Sequence, residues 1–134
     1  MNAASVVELL QQLVRIPSVN PEGNPGTDRT GEGACAEAVG AFLRHAGATV
    51  SFQEVFPGRP NVVGVFPTDR PGKPRLYLAP HLDTVSVLGM TIDPFGGEVR
   101  EGRVWGRGAT DTKGPMSAML WALWELRDVL PKLS

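Results

Sequence analysis

A helical segment that is apolar on every side places the strongest restriction on the fold. Residues 118–124, AMLWALW, follow Pro115, which suits a first helical turn, and the helical pattern continues to Pro131. A helix that is apolar all round needs neighbours on several sides. Because only a short tail follows Pro131, we expect one face of this helix to pack on a sheet and the other to meet further chain or another molecule.

The order of the remaining patterns defines the fold class. Helical spacing of apolar residues predicts a first helix from Ser5 to about residue 15 and a second over 32–46, joined by a connecting loop, RIPSVNPEGNPG. Strand patterns follow at residues 48–55, 61–66 and 75–80. A hairpin is predicted around Glu101 and Gly102. Helices before three strands indicate an α/β domain whose central strands are covered on both faces.

Composition and charge exclude several classes of function. Hydrophobic residues make up 42% and charged residues 20%, the balance of a globular domain, and the length suits one domain. The net charge of −1, without a basic stripe, argues against nucleic acid as a partner. No stretch reaches the roughly 18 apolar residues of a membrane span, and the N-terminus lacks a signal pattern. We therefore expect a cytoplasmic protein with no membrane partner.

Two residues with reactive side chains are predicted to be structural. Cys35 is the single cysteine, so it has no partner for an internal disulfide, and its small neighbours predict a buried, inert thiol. His45 lies in the last turn of the second helix, where positive charge meets the negative end of the helix dipole. No second metal ligand follows it at helical spacing, so we assign it no metal.

A histidine and an aspartate follow the third predicted strand in YLAPHLDTV. Alternation along a strand places His81 and Asp83 on one side, and α/β folds hold ligands at the carboxyl ends of parallel strands. A metal-binding histidine usually has its other ring nitrogen held by a carboxylate, a role open to Asp83. Taken alone, this pair favours the simpler alternative of a hydrogen-bonded histidine beside a solvated aspartate.

The loop WGRGATDTKGP adds a second carboxylate to the candidate site. Three glycines surround Asp111 on a tight turn that leads into the last helix. A Walker phosphate loop is disfavoured because Thr112 precedes Lys113, and the dinucleotide fingerprint needs a glycine where Asp111 stands. A carboxylate facing a phosphate would also need a metal between them. Asp111 therefore indicates a cation site.

Together, APHLDTV and DPFGGEVREGRVWGRGATDTKG resemble the N-terminal part of the M20 family of metallopeptidases and deacylases, and the resemblance runs over nearly the whole chain. This family includes acetylornithine deacetylase, succinyl-diaminopimelate desuccinylase, aminoacylase and the glutamate carboxypeptidases. The resemblance implies a three-layer αβα zinc-hydrolase domain of the aminopeptidase-like type, incomplete at its C-terminal side. Residues 1–134 would be the N-terminal portion of the catalytic domain, without its remainder or the dimerisation domain.

The resemblance also implies a role for each candidate residue. His81 would ligate one zinc ion, Asp111 would bridge two, and Asp83 would orient His81 as a catalytic support. Cobalt or manganese are alternative metals. In such enzymes the peptide after the bridging aspartate is commonly cis, which is implied for the Asp111–Thr112 bond. The family's general base, a Glu-Glu pair, and further ligands come after the position of Ser134.

The expected function is that of a fragment of a zinc-dependent hydrolase, which cleaves an amide in an N-acyl amino acid or dipeptide-like substrate by metal-activated water. The chain alone has too few ligands, so we expect weak zinc binding and no hydrolysis. Asp93 is predicted to serve a turn, and Arg107 and Lys113 to be solvated surface charges. The alternative is a non-catalytic binding or assembly module that self-associates through an exposed apolar face.

Overall fold

The structure, a computed structural model, describes residues 3–69, 72 and 75–133. Its helices are α1 (Val6–Val14), α2 (Gly33–His45), α3 (Lys113–Leu126) and α4 (Leu130–Leu133). Its strands are β1 (Thr49–Phe56), β2 (Arg59–Val65), β3 (Glu98–Arg100) and β4 (Arg103–Trp105). The strands form two antiparallel pairs, β1 with β2 and β3 with β4. Within the described ranges, no helix is both long and apolar enough to cross a membrane.

Local hydrogen bonds fix the ends of the first two helices. Ser5 Oγ accepts from the backbone N–H of Glu8 at 3.2 Å, which is one half of a capping box and confirms the predicted start of α1. At the end of α2, Gly47 adopts a φ of +96°. The backbone N–H of Gly47 donates to Arg44 and that of Ala48 to Leu43, each at 3.0 Å, forming a Schellman motif.

The core lies where α1, α2 and α3 meet. Its buried members share apolar side chains and are Leu9, Leu13, Cys35, Val39, Phe42, Leu43, Ala48, Met116 and Leu120. The thiol of Cys35 is fully buried, as predicted, and burial raises its pKa, which keeps it in the inert protonated form. Helix α3 packs on α1, so its buried face meets a helix where a sheet was predicted.

The β3–β4 hairpin confirms the predicted turn. Glu101 and Gly102 have φ angles of 53° and 72°, the pair of positive values that a two-residue type I′ turn requires. Val99 and Val104 face each other in the register that this turn sets. The hairpin leads directly into the loop that carries Asp111.

The prediction of a third strand, at residues 75–80, is wrong. Residues 75–80 have no strand conformation, and Leu76 and Tyr77 are 85% and 82% exposed. An apolar run becomes a strand only when a neighbouring strand pairs with its N–H and C=O groups. Among the described residues, no strand lies beside this segment, so the apolar side chains stay open to solvent.

Candidate metal centre

The structure brings His81 and Asp111 together although they are far apart in the sequence. His81 follows the exposed apolar segment, and Asp111 lies in the loop just before α3. His81 Nε2 and Asp111 Oδ1 are 2.9 Å apart. Both side chains line a cavity of about 230 Å³, together with Asp83, Thr84 and residues of the 106–111 loop. Folding therefore places the two predicted ligands in one open depression.

Asp83 holds the other side of the His81 ring. His81 Nδ1 lies 3.2 Å from Asp83 Oδ1 and 2.9 Å from the Asp83 carbonyl oxygen. In the neutral tautomer with the proton on Nδ1, the Nδ1–H group donates a hydrogen bond to Asp83. The lone pair is then on Nε2, which is the nitrogen that faces Asp111. This is the arrangement in which a second group orients a histidine for a cation.

Both ring nitrogens of His81 face acceptors, and this affects its protonation. Burial lowers the pKa of His81, but the hydrogen bond to Asp111 and the contacts with Asp83 outweigh it and raise the pKa above its usual 6.5. A ring nitrogen and a carboxylate oxygen that face each other need a shared cation, either a proton or a metal ion. The Asp111 side chain is 81% exposed, and ion pairs this open contribute little to stability.

These donor atoms fit half of a zinc site. Zinc accepts imidazole nitrogen and carboxylate oxygen, and His81 Nε2 and Asp111 Oδ1 supply one of each, both directed into the same cavity. A tetrahedral site needs about four donors. Within the described part of the chain, no group of three or more His, Cys, Asp or Glu side chains could hold a metal. The pair therefore fits a metal but does not enclose one.

The Asp111 loop has a backbone that only glycine adopts easily. The Asp111–Thr112 peptide is cis, as the resemblance implied, and Gly106 and Gly108 have positive φ angles of 148° and 84°. A Cβ on Gly108 would lie 2.8 Å from Thr84 Cγ2 and 3.2 Å from Lys113 Cδ. The loop therefore approaches Thr84 and Lys113 too closely for any side chain at position 108.

Gly108→Ala should destabilise the fold through two effects. The positive φ costs about 1 kcal/mol, and the contact with the buried Thr84 methyl adds about 2 kcal/mol. Gly89→Ala is the matched control, since Gly89 has a φ of 76° but open space around its Cβ, so it should lose the backbone part alone. Urea unfolding measures both variants, and equal losses would contradict the packing argument.

Lys113 corrects the prediction of a solvated surface charge. It is 1% exposed, and its Nζ donates to the carbonyl oxygens of Leu13 at 3.0 Å and Ile16 at 2.6 Å. Burial lowers the pKa of its ammonium group. Arg107 is also partly buried, and its Nε has no hydrogen-bond partner among the described residues. The carbonyls that bind Lys113 lie about a hundred positions upstream, and the sequence does not show which backbone groups will be its neighbours. The contacts of Lys113 therefore could not be predicted.

Two other predicted positions have structural partners. Asp93 Oδ1 accepts from the backbone N–H of Phe95 at 2.9 Å, which confirms its turn role. The ring of His45 stacks on Trp124 with centroids 4.8 Å apart and planes 13° apart. Neither side chain lines the cavity that contains His81.

The connecting loop after α1 contributes more than was predicted. Val19 forms parallel backbone bridges with both Thr84 and Thr30, and is fully buried. The next residue, Asn20, reaches the carboxylate of Asp83 with its side chain. The sequence predicted only a connecting loop here, and no local pattern indicated that this loop would pair with residues 82–84.

Comparison with known proteins shows which family the chain resembles. Residues 77–134, which include both candidate ligands, match the model of peptidase family M20/M25/M40. Over this region the chain is similar to M20 peptidases. Among curated M20 relatives, it is 37% identical over 127 residues to succinyl-diaminopimelate desuccinylase from Methylorubrum extorquens (strain PA1), covering 91% of this chain and 30% of that protein. The corresponding protein from Methylobacterium nodulans is 36% identical over the same length.

Solved structures of M20 proteins share the fold. Human carnosine dipeptidase 1 superposes with a TM-score of 0.76 at 26% identity, covering 96% of this chain and 29% of that one. An M20 metallo-carboxypeptidase from Sulfolobus solfataricus gives a TM-score of 0.74 at 22% identity and 94% coverage of this chain. The predicted fold class, that of an M20 catalytic domain, is confirmed. The chain spans about 30% of the length of the curated relatives it matches.

Proposed function

We propose that this chain is the N-terminal part of a zinc-dependent M20 hydrolase that cleaves an amide bond in an N-acyl amino acid or dipeptide-like small molecule. The observation that carries the proposal is the 2.9 Å contact between His81 Nε2 and Asp111 Oδ1 in an open cavity. Relatives named as a desuccinylase and a dipeptidase support the substrate class, since both names describe cleavage of an amide next to an amino acid.

Each site residue has a separate task in this proposal. His81 and Asp111 would hold a zinc ion, and Asp111 would be shared with a second ion in the complete enzyme. Asp83 keeps the His81 ring in the orientation that leaves Nε2 free to bind. When bound, the metal lowers the pKa of a water ligand and polarises the scissile carbonyl. Cobalt or manganese could take the place of zinc.

The described residues alone are proposed to supply too few groups for catalysis. Two protein donors are about half of the ligands that a tetrahedral zinc ion needs. The isolated chain is therefore expected to bind zinc weakly and to hydrolyse nothing. The remaining ligands, the general base and the dimerisation domain are proposed to belong to the part of the M20 architecture outside these residues. The cytoplasmic location stays a prediction of the sequence.

The proposal predicts the effect of removing His81 from a protein in which this segment is continued to the length of its relatives. His81→Ala should lower kcat/KM on N-succinyl amino acids and dipeptides by about 10³-fold, because losing the metal costs about 4 kcal/mol of transition-state stabilisation. His45→Ala is the control, since it removes the chain's other histidine, which stacks on Trp124. An active His81→Ala protein would contradict the proposed role.

The exposed apolar segment favours a second candidate function. Leu76 and Tyr77, with more than four fifths of their surface exposed, form an open apolar strip next to the candidate site. Such a strip suits an assembly module in which two copies of this chain pair through residues 75–80. Light scattering over a concentration series tests this alternative. A monomer at high concentration would contradict it.

A further inference from the structure

The loop between α1 and α2 is joined to the backbone on both sides of Asp83. The N–H of Asn20 donates to the carbonyl of Thr84 at 2.8 Å, and the N–H of Thr84 donates to the carbonyl of Ser18 at 2.9 Å. The hydroxyl of Ser18 donates to the carbonyl of Leu82 at 2.7 Å. Ser18 and Thr84 are buried, so these bonds are protected from water. The backbone of Asn20 is therefore fixed relative to Asp83.

The side chain of Asn20 divides its two polar atoms between two partners. Its Oδ1 accepts from the backbone N–H of Glu22 at 3.0 Å, and its Nδ2 lies 3.0 Å from Asp83 Oδ2. A backbone N–H only donates, so the oxygen of the amide must face Glu22. This leaves the NH₂ group facing the carboxylate, where it donates a hydrogen bond. The orientation of the amide follows from its two partners.

The carboxylate of Asp83 is held by two different donors. Oδ2 accepts from Asn20, which leaves Oδ1 facing His81 Nδ1 at 3.2 Å. The nearby guanidinium of Arg59 is already paired with Glu32 through Nε at 2.7 Å and through a terminal nitrogen at 2.6 Å. Among the described residues, Asn20 is thus the neutral side chain that fixes the rotation of the Asp83 carboxylate.

We propose that Asn20 is a positioning residue for the metal site, which acts on His81 through Asp83. The hydrogen bond from Asn20 sets the plane of the carboxylate, the carboxylate holds Nδ1 of the ring, and the ring presents Nε2 to the cavity. Asp83 is about one third exposed, so without Asn20 its carboxylate is free to turn toward water. The inference rests on the proposed metal role of His81 and adds a residue from a different part of the chain.

Asn20→Ala tests the proposal, with Asn24→Ala as the matched control. Asn24 lies in the same loop, and its Oδ1 also accepts a backbone N–H two residues ahead, that of Gly26 at 3.3 Å. Both variants lose this turn contact, but only Asn20→Ala loses the contact with Asp83. A merely structural role would therefore affect the two variants alike.

Two measurements on the 134-residue chain distinguish the outcomes. Cobalt binding, followed by the paramagnetic shift of the His81 ring signals, should weaken 10- to 100-fold in Asn20→Ala, a loss typical of groups that orient a metal ligand, and stay unchanged in Asn24→Ala. In the metal-free chain, three-bond couplings should show one χ1 rotamer of His81 in the parent and in Asn24→Ala, and averaging in Asn20→Ala. Equal cobalt affinity in parent and Asn20→Ala would overturn the proposal.

The same data separate failure of the metal site from failure of the positioning role. If cobalt leaves the His81 signals of the parent chain unchanged, the proposed metal role fails. The rotamer measurement then decides alone: averaging of His81 only in Asn20→Ala supports the positioning role, and a fixed rotamer in all three proteins overturns it.

Discussion

Replacing Lys113 by methionine should lower the free energy of unfolding by about 3 kcal/mol. The ammonium group donates to the carbonyl of Leu13 in the last turn of α1 and to that of Ile16 just beyond it. The Leu13 carbonyl also accepts from the backbone N–H of Ile16 at 3.2 Å, so Lys113 adds a charged donor where the helix ladder ends. Methionine fills a similar volume but donates nothing, so both carbonyls would be left without this donor in a region where Lys113 is 1% exposed. Urea unfolding followed by circular dichroism measures the loss.

Lys132→Met is the matched control for this prediction. Lys132 lies exposed on α4, and its replacement should change the unfolding free energy by no more than about 0.5 kcal/mol. If Lys113→Met were as stable as Lys132→Met, the bonds from Nζ would not link the start of α3 to the end of α1. Because Lys113 comes two residues after Asp111, the same link also fixes the loop that presents the candidate ligand.

The second large effect is expected on metal binding. His81→Ala and Asp111→Ala each remove one of the two facing donor atoms, so each should weaken cobalt binding by the 134-residue chain about 100-fold or more. Each loss leaves the ion with a single protein donor in an open cavity. The visible absorption of cobalt, recorded during a titration of each variant, measures the affinity.

Asp93→Ala provides the control for charge. It removes the same carboxylate as Asp111→Ala, but Asp93 accepts from the backbone N–H of Phe95 in a turn away from the cavity. Cobalt affinity should therefore be unchanged in Asp93→Ala. If the Asp93 and Asp111 variants lost affinity equally, cobalt would be bound by general negative charge and the assigned pair would be wrong.

Elements decided by neighbouring residues could be predicted from the sequence. The start of α1 depends on Ser5 and Glu8, three residues apart, and the end of α2 depends on the positive φ of Gly47. The β3–β4 turn depends on the two residues at its centre. In each case, the residues that make the deciding hydrogen bonds lie within one turn of each other, so their identities are enough.

Contacts between distant segments could not be predicted in this way. The strand pattern of residues 75–80 describes only its own side chains, whereas a strand also needs a partner, and none of the described strands pairs with it. Lys113 and Asn20 were missed because Lys113 bonds to backbone carbonyls about a hundred positions away and Asn20 to a carboxylate 63 positions away. The pairing of His81 with Asp111 was expected because two motifs resembled one family. Periodicity alone did not decide whether His81 is a metal ligand or a hydrogen-bonded histidine without a metal.

The position of a bound zinc ion would show whether His81 and Asp111 form the metal site. Crystals of the 134-residue chain, soaked in millimolar zinc and measured on both sides of the zinc absorption edge, would show the ion by its anomalous scattering. We expect a peak within bonding distance of both His81 Nε2 and Asp111 Oδ1, with Asp83 still in contact with Nδ1 of the ring. A peak elsewhere, with His81 and Asp111 still in direct contact, would contradict this expectation.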